Sequence, residues 1–364
     1  MKMKIGFIGL GLIGGSLAKA IRQYYPDCEI TAFDKNKETL ALATLESVID
    51  VAATSLDDNF YGCRYLFLCA PVSCNTAYLK QLARYLDGDC ILSDVGSVKG
   101  QIHREVERLG IGKHFIGGHP MAGSEKSGYA NSRAMLLENA YYVLTPGKEV
   151  LEEKVRAFQE FLESLKALPV LLDADTHDKV TGTISHLPHI IAASLVELVR
   201  DTDTGEGLMK TLAAGGFKDL TRIASSSPVM WQHICEQNKE HITEILSGYI
   251  RSLETAKEHI AAGDGQWVYR LFDQSRNYRN SISDASAGPI KKAYAVYCDI
   301  IDEAGGIAAI ATILASGGIN IKNIGIVHNR EFEEGVLRIE FYEESASKKA
   351  AELLQKYRYI VYER

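Results

Sequence analysis

The stretch Lys4-Ile-Gly-Phe-Ile-Gly9-Leu-Gly11-Leu-Ile-Gly14 decides the fold. It opens as a short apolar run, Lys4 to Leu10, suited to a buried strand. The glycines follow at once, Ser16 to Tyr24 reads as a helix, and Glu29 to Phe33 reads as a second strand ending at Asp34. That order is what a dinucleotide site requires. Gly9 permits a tight turn, Gly11 lets backbone approach a pyrophosphate, and Gly14 lets helix and strand pack closely, so that the pyrophosphate rests on the helix N-terminus beside Leu12 and Ile13. Asp34 stands 20 residues past Gly14, placed to accept hydrogen bonds from an adenosine ribose and to repel a 2′-phosphate. NAD is therefore expected over NADP, and the neighbouring Lys35 weakens that preference.

The remaining composition narrows the class. A chain of 364 residues, 46% hydrophobic and 24% charged, is ordinary for a soluble protein and too long for one core, so two or three domains are expected. Forty Lys and Arg against 47 Asp and Glu give a net charge of −7, and no basic stripe interleaved with aromatics is present, so nucleic acid is not expected as a partner. Seven Cys without a CxxC pair imply neither a disulfide framework nor a zinc knuckle and point to a reducing, cytoplasmic setting. No uninterrupted apolar run reaches the roughly 18 residues of a membrane helix, so no membrane is expected. Met1 to Ala20 imitates a secretory signal, but Gly9, Gly11, Gly14 and Gly15 have the better explanation above.

Further strands are expected at Tyr65 to Cys69, Cys90 to Ser93, Phe115 to Gly117 and Tyr141 to Leu144, with helices between most of them and a last strand near Val170 to Leu172. This alternation predicts an α/β fold whose N-terminal domain, 1–172, is a Rossmann-type doubly wound parallel sheet. Ligands bind where such strands end, so Ala70-Pro71-Val72, Asp94-Val-Gly96-Ser97 and His119-Pro-Met121 should face the cofactor cleft. From Asp173 to about Asn280 only helical periodicities remain, for example His189 to Val199 and Trp231 to Leu253, which predicts an all-helical domain over 173–287. The tail, 292–364, reads strand, helix, strand, strand, helix, strand: a ferredoxin-like βαββαβ unit behind a hinge at Ser286-Ala-Gly288-Pro289. Leu337, Ile339 and Phe341 share one face of its third strand, Arg338 and Glu340 the other.

Four histidines, His119, His177, His186 and His189, fall on segments that can converge where the sheet cleft meets the helical domain. His119 lies in Gly117-Gly-His-Pro-Met-Ala-Gly-Ser124, read as a loop at a strand end, and is the candidate base, since neutral imidazole accepts a proton near neutral pH. Ser185-His-Leu-Pro-His189 places Pro188 near a helix start. His186 and His189 are three apart, but no carboxylate or Cys completes a ligand set, so no metal is expected. Lys218-Asp219 and Arg222 follow Gly215-Gly216-Phe217, with Trp231 beyond; a guanidinium fork suits a substrate carboxylate. Cys69 and Cys74 flank the end of a cofactor strand and read as packed thiols.

Taken together, Gly9-Leu-Gly-Leu-Ile-Gly-Gly-Ser16, Asp94-Val-Gly-Ser-Val-Lys99, Gly118-His-Pro-Met-Ala-Gly-Ser-Glu-Lys-Ser-Gly128, Ser185-His-Leu-Pro-His189 and Gly215-Gly-Phe-Lys-Asp-Leu-Thr-Arg222 resemble the prephenate dehydrogenases of tyrosine biosynthesis, over about the first 285 residues. The tail resembles an ACT domain, with Asp302-Glu-Ala-Gly-Gly306 at its first loop and Gly318-Ile-Asn-Ile321 entering its second strand; Ala304 stands where that family usually has proline. The resemblance implies oxidative decarboxylation of prephenate to 4-hydroxyphenylpyruvate with NAD. It implies that His119 accepts a hydrogen bond from the ring hydroxyl and that Ser97 bridges that hydroxyl and the nicotinamide. It further implies that His189, in the run begun by Ser185, and Arg222 bind the carboxylate-bearing ends. Ser124, Glu125, Lys218, Asp219 and Trp231 match pocket or gating positions, several supplied across a homodimer. Gly9, Gly11, Leu12, Ile13, Gly14, Asp34, Ala70, Pro71, Val72, Asp94 and Gly96 then hold NAD. Gly305, Gly306, Asn320 and Ile321 hold a regulatory ligand, with tyrosine, the pathway's end product, as the expected effector. The alternatives are an arogenate dehydrogenase, a catalytically silent sensor of NAD and amino acids, and a hydroxyacid or phosphogluconate-type dehydrogenase, which generally takes its base from a helical-domain lysine.

Overall fold

Short apolar runs separated by amphipathic helices build the first sheet of the computed structural model, which describes residues 2–71, 74–123, 126–282, 294–300, 305–327 and 335–362. Strands β1 (Lys4–Ile8), β2 (Glu29–Phe33), β3 (Val51–Ala53), β4 (Tyr65–Leu68) and β5 (Ile91–Asp94) lie in the order β3-β2-β1-β4-β5, all parallel. β3 has only three residues, too short for a periodic signal, and was not expected. Helices Leu12–Tyr24 and Glu152–Ser164 cover one face through Leu17, Ile21, Phe158 and Phe161; helices Asn75–Leu82 and Gly100–Arg108 cover the other through Leu79, Leu82, Ile102 and Val106. The sheet is doubly wound, so its strands are apolar on both sides. Phe7 stacks on Phe67 with ring centres 5.2 Å apart inside the first layer.

The parallel order stops at β5. Strands β6 (Ile116–Pro120), β7 (Tyr141–Pro146) and β8 (Leu168–Leu171) form a separate three-stranded sheet in which β6 runs antiparallel to β7 and β7 parallel to β8. One parallel bridge, Leu92 to Phe115, joins its start to β5. The expectation of a single parallel sheet fails here because the connection from β6 to β7 holds, among the described residues, the 3-10 turns Tyr129–Asn131 and Ala134–Leu137 and no α-helix to carry the chain back across the sheet.

From Ala174 to Ser281 the elements are all helical. Helix Ala174–Thr181 passes through a π turn, Gly182–His186, directly into helix Leu187–Thr202. Pro188 is the second residue of helix Leu187–Thr202, near a helix start as expected, and the π turn precedes it, where a missing N–H and a ring clash are most easily absorbed. Short helices Leu208–Leu212 and Gly215–Thr221 follow, then Pro228–Gln237, Lys239–Ala261 and Gly265–Ser281. The periodicity read across Trp231 to Leu253 is broken at Asn238, which leaves helical geometry (φ −109°, ψ 28°) and is itself buried. The 29 residues Ala174–Thr202 are long and apolar enough, by length and composition, to cross a membrane, and 17% of the most apolar window is buried within the chain. Uncharged Thr, Ser and His interrupt that stretch, which hid it from a search for uninterrupted apolar runs.

Contacts divide the chain into two units, Met1–Asn277 and Tyr278–Arg364. In the second, β9 (Tyr294–Ile300), helix Gly306–Ser316, β10 (Asn323–Val327), β11 (Gly335–Phe341), helix Glu344–Lys356 and β12 (Val361–Tyr362) give the expected βαββαβ order. The antiparallel sheet runs β10-β11-β9-β12. Leu337, Ile339 and Phe341 are fully buried with Val296 and Cys298 beneath Ile310, Leu314 and Leu354 of the helices. On the other face Arg338 pairs with Glu340 at 2.7 Å. The hinge Ser286 to Pro289 and Ala304 lie outside the described residues.

Candidate active site

The nucleotide cradle is built by close approach. Gly9 has φ +97°, and a Cβ there would meet the backbone of Cys69 and Ala70 at 2.8 Å. A Cβ on Gly14 would collide with the Gly9 carbonyl and with Cys69, whereas beside Gly11 there is open space. The Asp34 carboxylate accepts from Leu10 N at 2.7 Å and from Asn36 N at 2.8 Å, which fixes it at the end of β2 with lone pairs to spare. A cleft of about 740 Å³ runs along Gly9, Gly11, Leu12, Ile13, Asp34, Ala70 and Pro71 and also takes in Ser97 and His119. This donor set and shape fit NAD: bare backbone for a pyrophosphate at the start of helix Leu12–Tyr24, and a carboxylate for a ribose. Gly14 packs behind the turn. Burial pushes the Cys69 thiol up, so it packs as an inert group.

His119 sits within β6 itself, opposite Val143, and not in the loop beyond it. Asp94 and Gly96 do not line the cleft but hold it together. Asp94 accepts from Gly96 N at 2.9 Å and from Gly118 N at 3.2 Å, and pairs with the fully buried Lys99 Nζ at 2.5 Å. Lys99 Nζ also donates to the Gly118 carbonyl at 2.7 Å, tying the turn that carries Ser97 to the strand that carries His119. Such a buried ion pair costs desolvation, which the hydrogen bonds to Gly96, Gly118 and the Gly118 carbonyl help to offset.

Behind His119 the helical region supplies the next layer. His119 Nδ1 lies 2.8 Å from His177 Nε2, and His177 Nδ1 lies 2.8 Å from Asp178 Oδ1. Asp178 also accepts from Lys99 N and Gly100 N, each at 2.7 Å. Burial raises the Asp178 carboxyl, but these hydrogen bonds outweigh it and hold it below its ordinary value. Burial, reinforced by His177, Lys99 and His186, holds the His119 imidazole well below 6.5. Asn238 donates to the Asp178 carbonyl at 2.8 Å and faces His186 Nδ1 at 3.1 Å, which explains why the helix breaks there. Burial pushes His186 down to about 4. His189 donates from Nδ1 to the Ser185 carbonyl at 2.9 Å and stacks on Trp231 with ring centres 4.0 Å apart. The Trp231 indole nitrogen is buried without a hydrogen-bond partner, and Met230 beside it lines the cleft.

Lys218, Asp219 and Arg222 are exposed on and just after helix Gly215–Thr221 and do not line this cleft within one chain. Ser124, Glu125 and Val72 lie outside the described residues. Gly305 (φ +98°) and Gly306 begin a helix of the C-terminal unit, and Asn320 and Ile321 precede β10. Among the described residues no group of three or more His, Cys, Asp or Glu is arranged to hold a metal. Sequence reasoning grouped His177 and His186 with the site but gave them no role, and it passed over Asp178, Asn238 and the buried partner role of Lys99. In the sequence His177-Asp178 stands among Asp173, Asp175 and Lys179, and nothing there marks which of these charges is buried.

Residues 17–171 match the family model described as prephenate dehydrogenase, nucleotide-binding domain, and residues 173–274 match prephenate dehydrogenase, dimerization domain. The prephenate dehydrogenase of Bacillus subtilis (strain 168) is 36% identical over 357 residues, covering 98% of this chain and 96% of that one. In structure, the chain is similar to prephenate dehydrogenase from A. aeolicus, solved with hydroxyphenyl propionate and NAD+, at TM-score 0.73 and 32% identity over 78% of this chain and 99% of that one. It is similar to Synechocystis arogenate dehydrogenase at TM-score 0.70 and 30% identity over 77% and 100%. The cradle, the histidine of β6 and these matches over nearly the whole length place the chain in the prephenate dehydrogenase family.

Proposed function

We propose that the protein carries out the NAD-dependent oxidative decarboxylation of prephenate to 4-hydroxyphenylpyruvate. The observation that carries this is His119: an imidazole held neutral, sharing one cleft with Ser97 and the dinucleotide cradle, with its Nδ1 engaged from behind. NAD, when bound, supplies the hydride acceptor. His119 takes the proton of the substrate's C4 hydroxyl as the C4 hydrogen departs with its electron pair, and Ser97 orients that hydroxyl. Loss of the C1 carboxylate as CO2 makes the ring aromatic and the reaction irreversible in practice. The chain therefore supplies alignment, a base and carboxylate recognition, the last from His189, Arg222 and Ser185, with Trp231 behind His189. Ser124, Glu125, Lys218 and Asp219 complete the pocket in this reading, which divides the chain at 1–172, 173–287 and 292–364.

Arogenate carries an amine where prephenate has a keto group, and the similarity to the Synechocystis arogenate dehydrogenase keeps it as the second reading. Following NADH formation at 340 nm from each substrate tests this: activity on prephenate is expected, and activity confined to arogenate would overturn it.

A homodimer is supported by the family's dimerization domain and by the uncovered apolar face of the helical region. A cytoplasmic setting is supported by seven free cysteines. For the tail we propose tyrosine as effector, held at Gly305, Gly306, Asn320 and Ile321, with a coupling of about 1 to 3 kcal/mol to the active site. Truncation after Ala287 is expected to give an active dimer that tyrosine no longer inhibits. Inhibition surviving truncation would remove the tail from this role.

A further inference from the structure

We infer that His177 and Asp178 are positioning residues that set the ring tautomer of His119, through a hydrogen-bond chain of one polarity running from His119 Nδ1–H to His177 Nε2 and from His177 Nδ1–H to the Asp178 carboxylate. The inference rests on the reading of His119 as the base. An ionised Asp178 can only accept, so the hydrogen between it and His177 belongs to His177 Nδ1, 2.8 Å away. A neutral His177 then offers only a lone pair at Nε2, and the hydrogen of the next 2.8 Å contact belongs to His119 Nδ1. His119 is left with its lone pair on Nε2, where the substrate hydroxyl is to be deprotonated.

The anchor of the chain is over-determined. Asp178 Oδ1 accepts from Lys99 N as well as from His177, and Oδ2 accepts from Gly100 N, so the carboxylate cannot rotate or reverse without freeing two backbone donors. His177 is fully buried and its ring is edge-on to that of His119, with centres 5.0 Å apart. The charged and titratable groups around His119 are His177 and Asp178 from helix Ala174–Thr181, His186 from the π turn, and Lys99 and Asp94 from the turn after β5. Of these, Asp178 is the group that can fix the direction of the chain, because Asp94 is engaged by Lys99, Gly96 and Gly118.

The test compares Asp178→Asn with His177→Gln in the full-length protein, labelled with 15N-histidine. An asparagine with its oxygen on Gly100 N puts its amide nitrogen at the Oδ1 place, where it gives up the Lys99 N bond and donates to His177 Nδ1, which reverses the chain and puts the hydrogen on His119 Nε2. A glutamine in place of His177 keeps the polarity, its amide N–H facing Asp178 and its oxygen facing His119. The ring 15N shifts of His119, assigned by their loss in His119→Asn, should report the Nδ1–H form in the wild type and in His177→Gln and the Nε2–H form in Asp178→Asn. With prephenate, Asp178→Asn should lose roughly 10²-fold or more in kcat with KM within about two-fold, as when an orienting aspartate elsewhere is made an amide. His177→Gln should retain kcat within about ten-fold, and His177→Leu should not. An unchanged His119 tautomer in Asp178→Asn, or equal losses in His177→Gln and His177→Leu, would overturn the inference; the second comparison decides if Asp178→Asn does not fold. Wild-type protein inactive on both substrates would overturn the function instead, and the tautomer would still be read.

Discussion

The sheet region, β1 to β8, and the helical region after Ala174 spend their apolar residues in opposite ways. Helix Leu12–Tyr24 buries Leu17, Ala18, Ala20 and Ile21, and helix Glu152–Ser164 buries Val155, Phe158, Phe161 and Leu162. The 23-residue helix Lys239–Ala261 buries only Ile242, and helices Leu208–Leu212 and Gly265–Ser281 bury nothing. Leu212 is 75% exposed, and Tyr269 and Phe272 are each 71% exposed. Open apolar surface of this kind suits the second copy proposed above. The contrast extends to chemistry. The sheet region brings its cradle and His119 together unaided, whereas Lys218, Asp219 and Arg222 stand away from the cleft on the face that remains uncovered.

If the sheet region holds the reacting end, its loss should strike turnover. His119→Asn is expected to lower kcat by roughly 10²- to 10⁴-fold with KM nearly unchanged, because proton uptake contributes in the transition state. Near-normal turnover in steady-state assays would break the division at its centre. Next comes acid stability. His186 titrates at about 4 in the fold against about 6.5 unfolded, so the unfolded chain takes up the proton first. The stabilisation is complete above pH 6.5 and is lost as pH falls toward 4, about 3 kcal/mol in all. His119, pushed the same way, extends the loss to lower pH. Thermal melts from pH 7 to 4 should fall more steeply for the wild type than for His186→Gln; parallel curves would remove His186 from the cause.

Arg222→Gln should mark the other side of the contrast. A clamp on a carboxylate acts in the ground state, so KM should rise by about 1.5 to 3 kcal/mol of binding while kcat changes little. An unchanged KM would assign Arg222 to structure. The smallest effect belongs to the cradle's edge, where Asp34→Ser should narrow the preference for NAD over NADP by removing repulsion of a 2′-phosphate. Equal use of both cofactors by the wild type would mean that Lys35 overrides the aspartate.

What could be read in advance followed the range of the interactions. The cradle is local: Gly9 through Asp34 spans one strand, one helix and one strand, each declared by spacing and glycine position. The tail was equally legible, since period-two alternation in β11, an apolar helix and an amphipathic helix follow one another within about 70 residues. The antiparallel turn into β7, the break at Asn238 and the placing of Asp178 against Lys99 and Gly100 depend on partners up to 79 residues away, and no local pattern announces them.

The π turn at Gly182–His186 sets helical phase. At about 100° per residue, His177 and His189, twelve apart, would face directions about 120° apart along an uninterrupted α-helix. One residue absorbed by the wider turn brings them to within about 20°, and brings Asp178 and His186 into similar line. The rotational offset between the end that carries His177 and the end that carries His189 is thus stored as a single surplus residue. Deleting one residue from this turn would leave every side chain chemically present and dial the two ends out of phase.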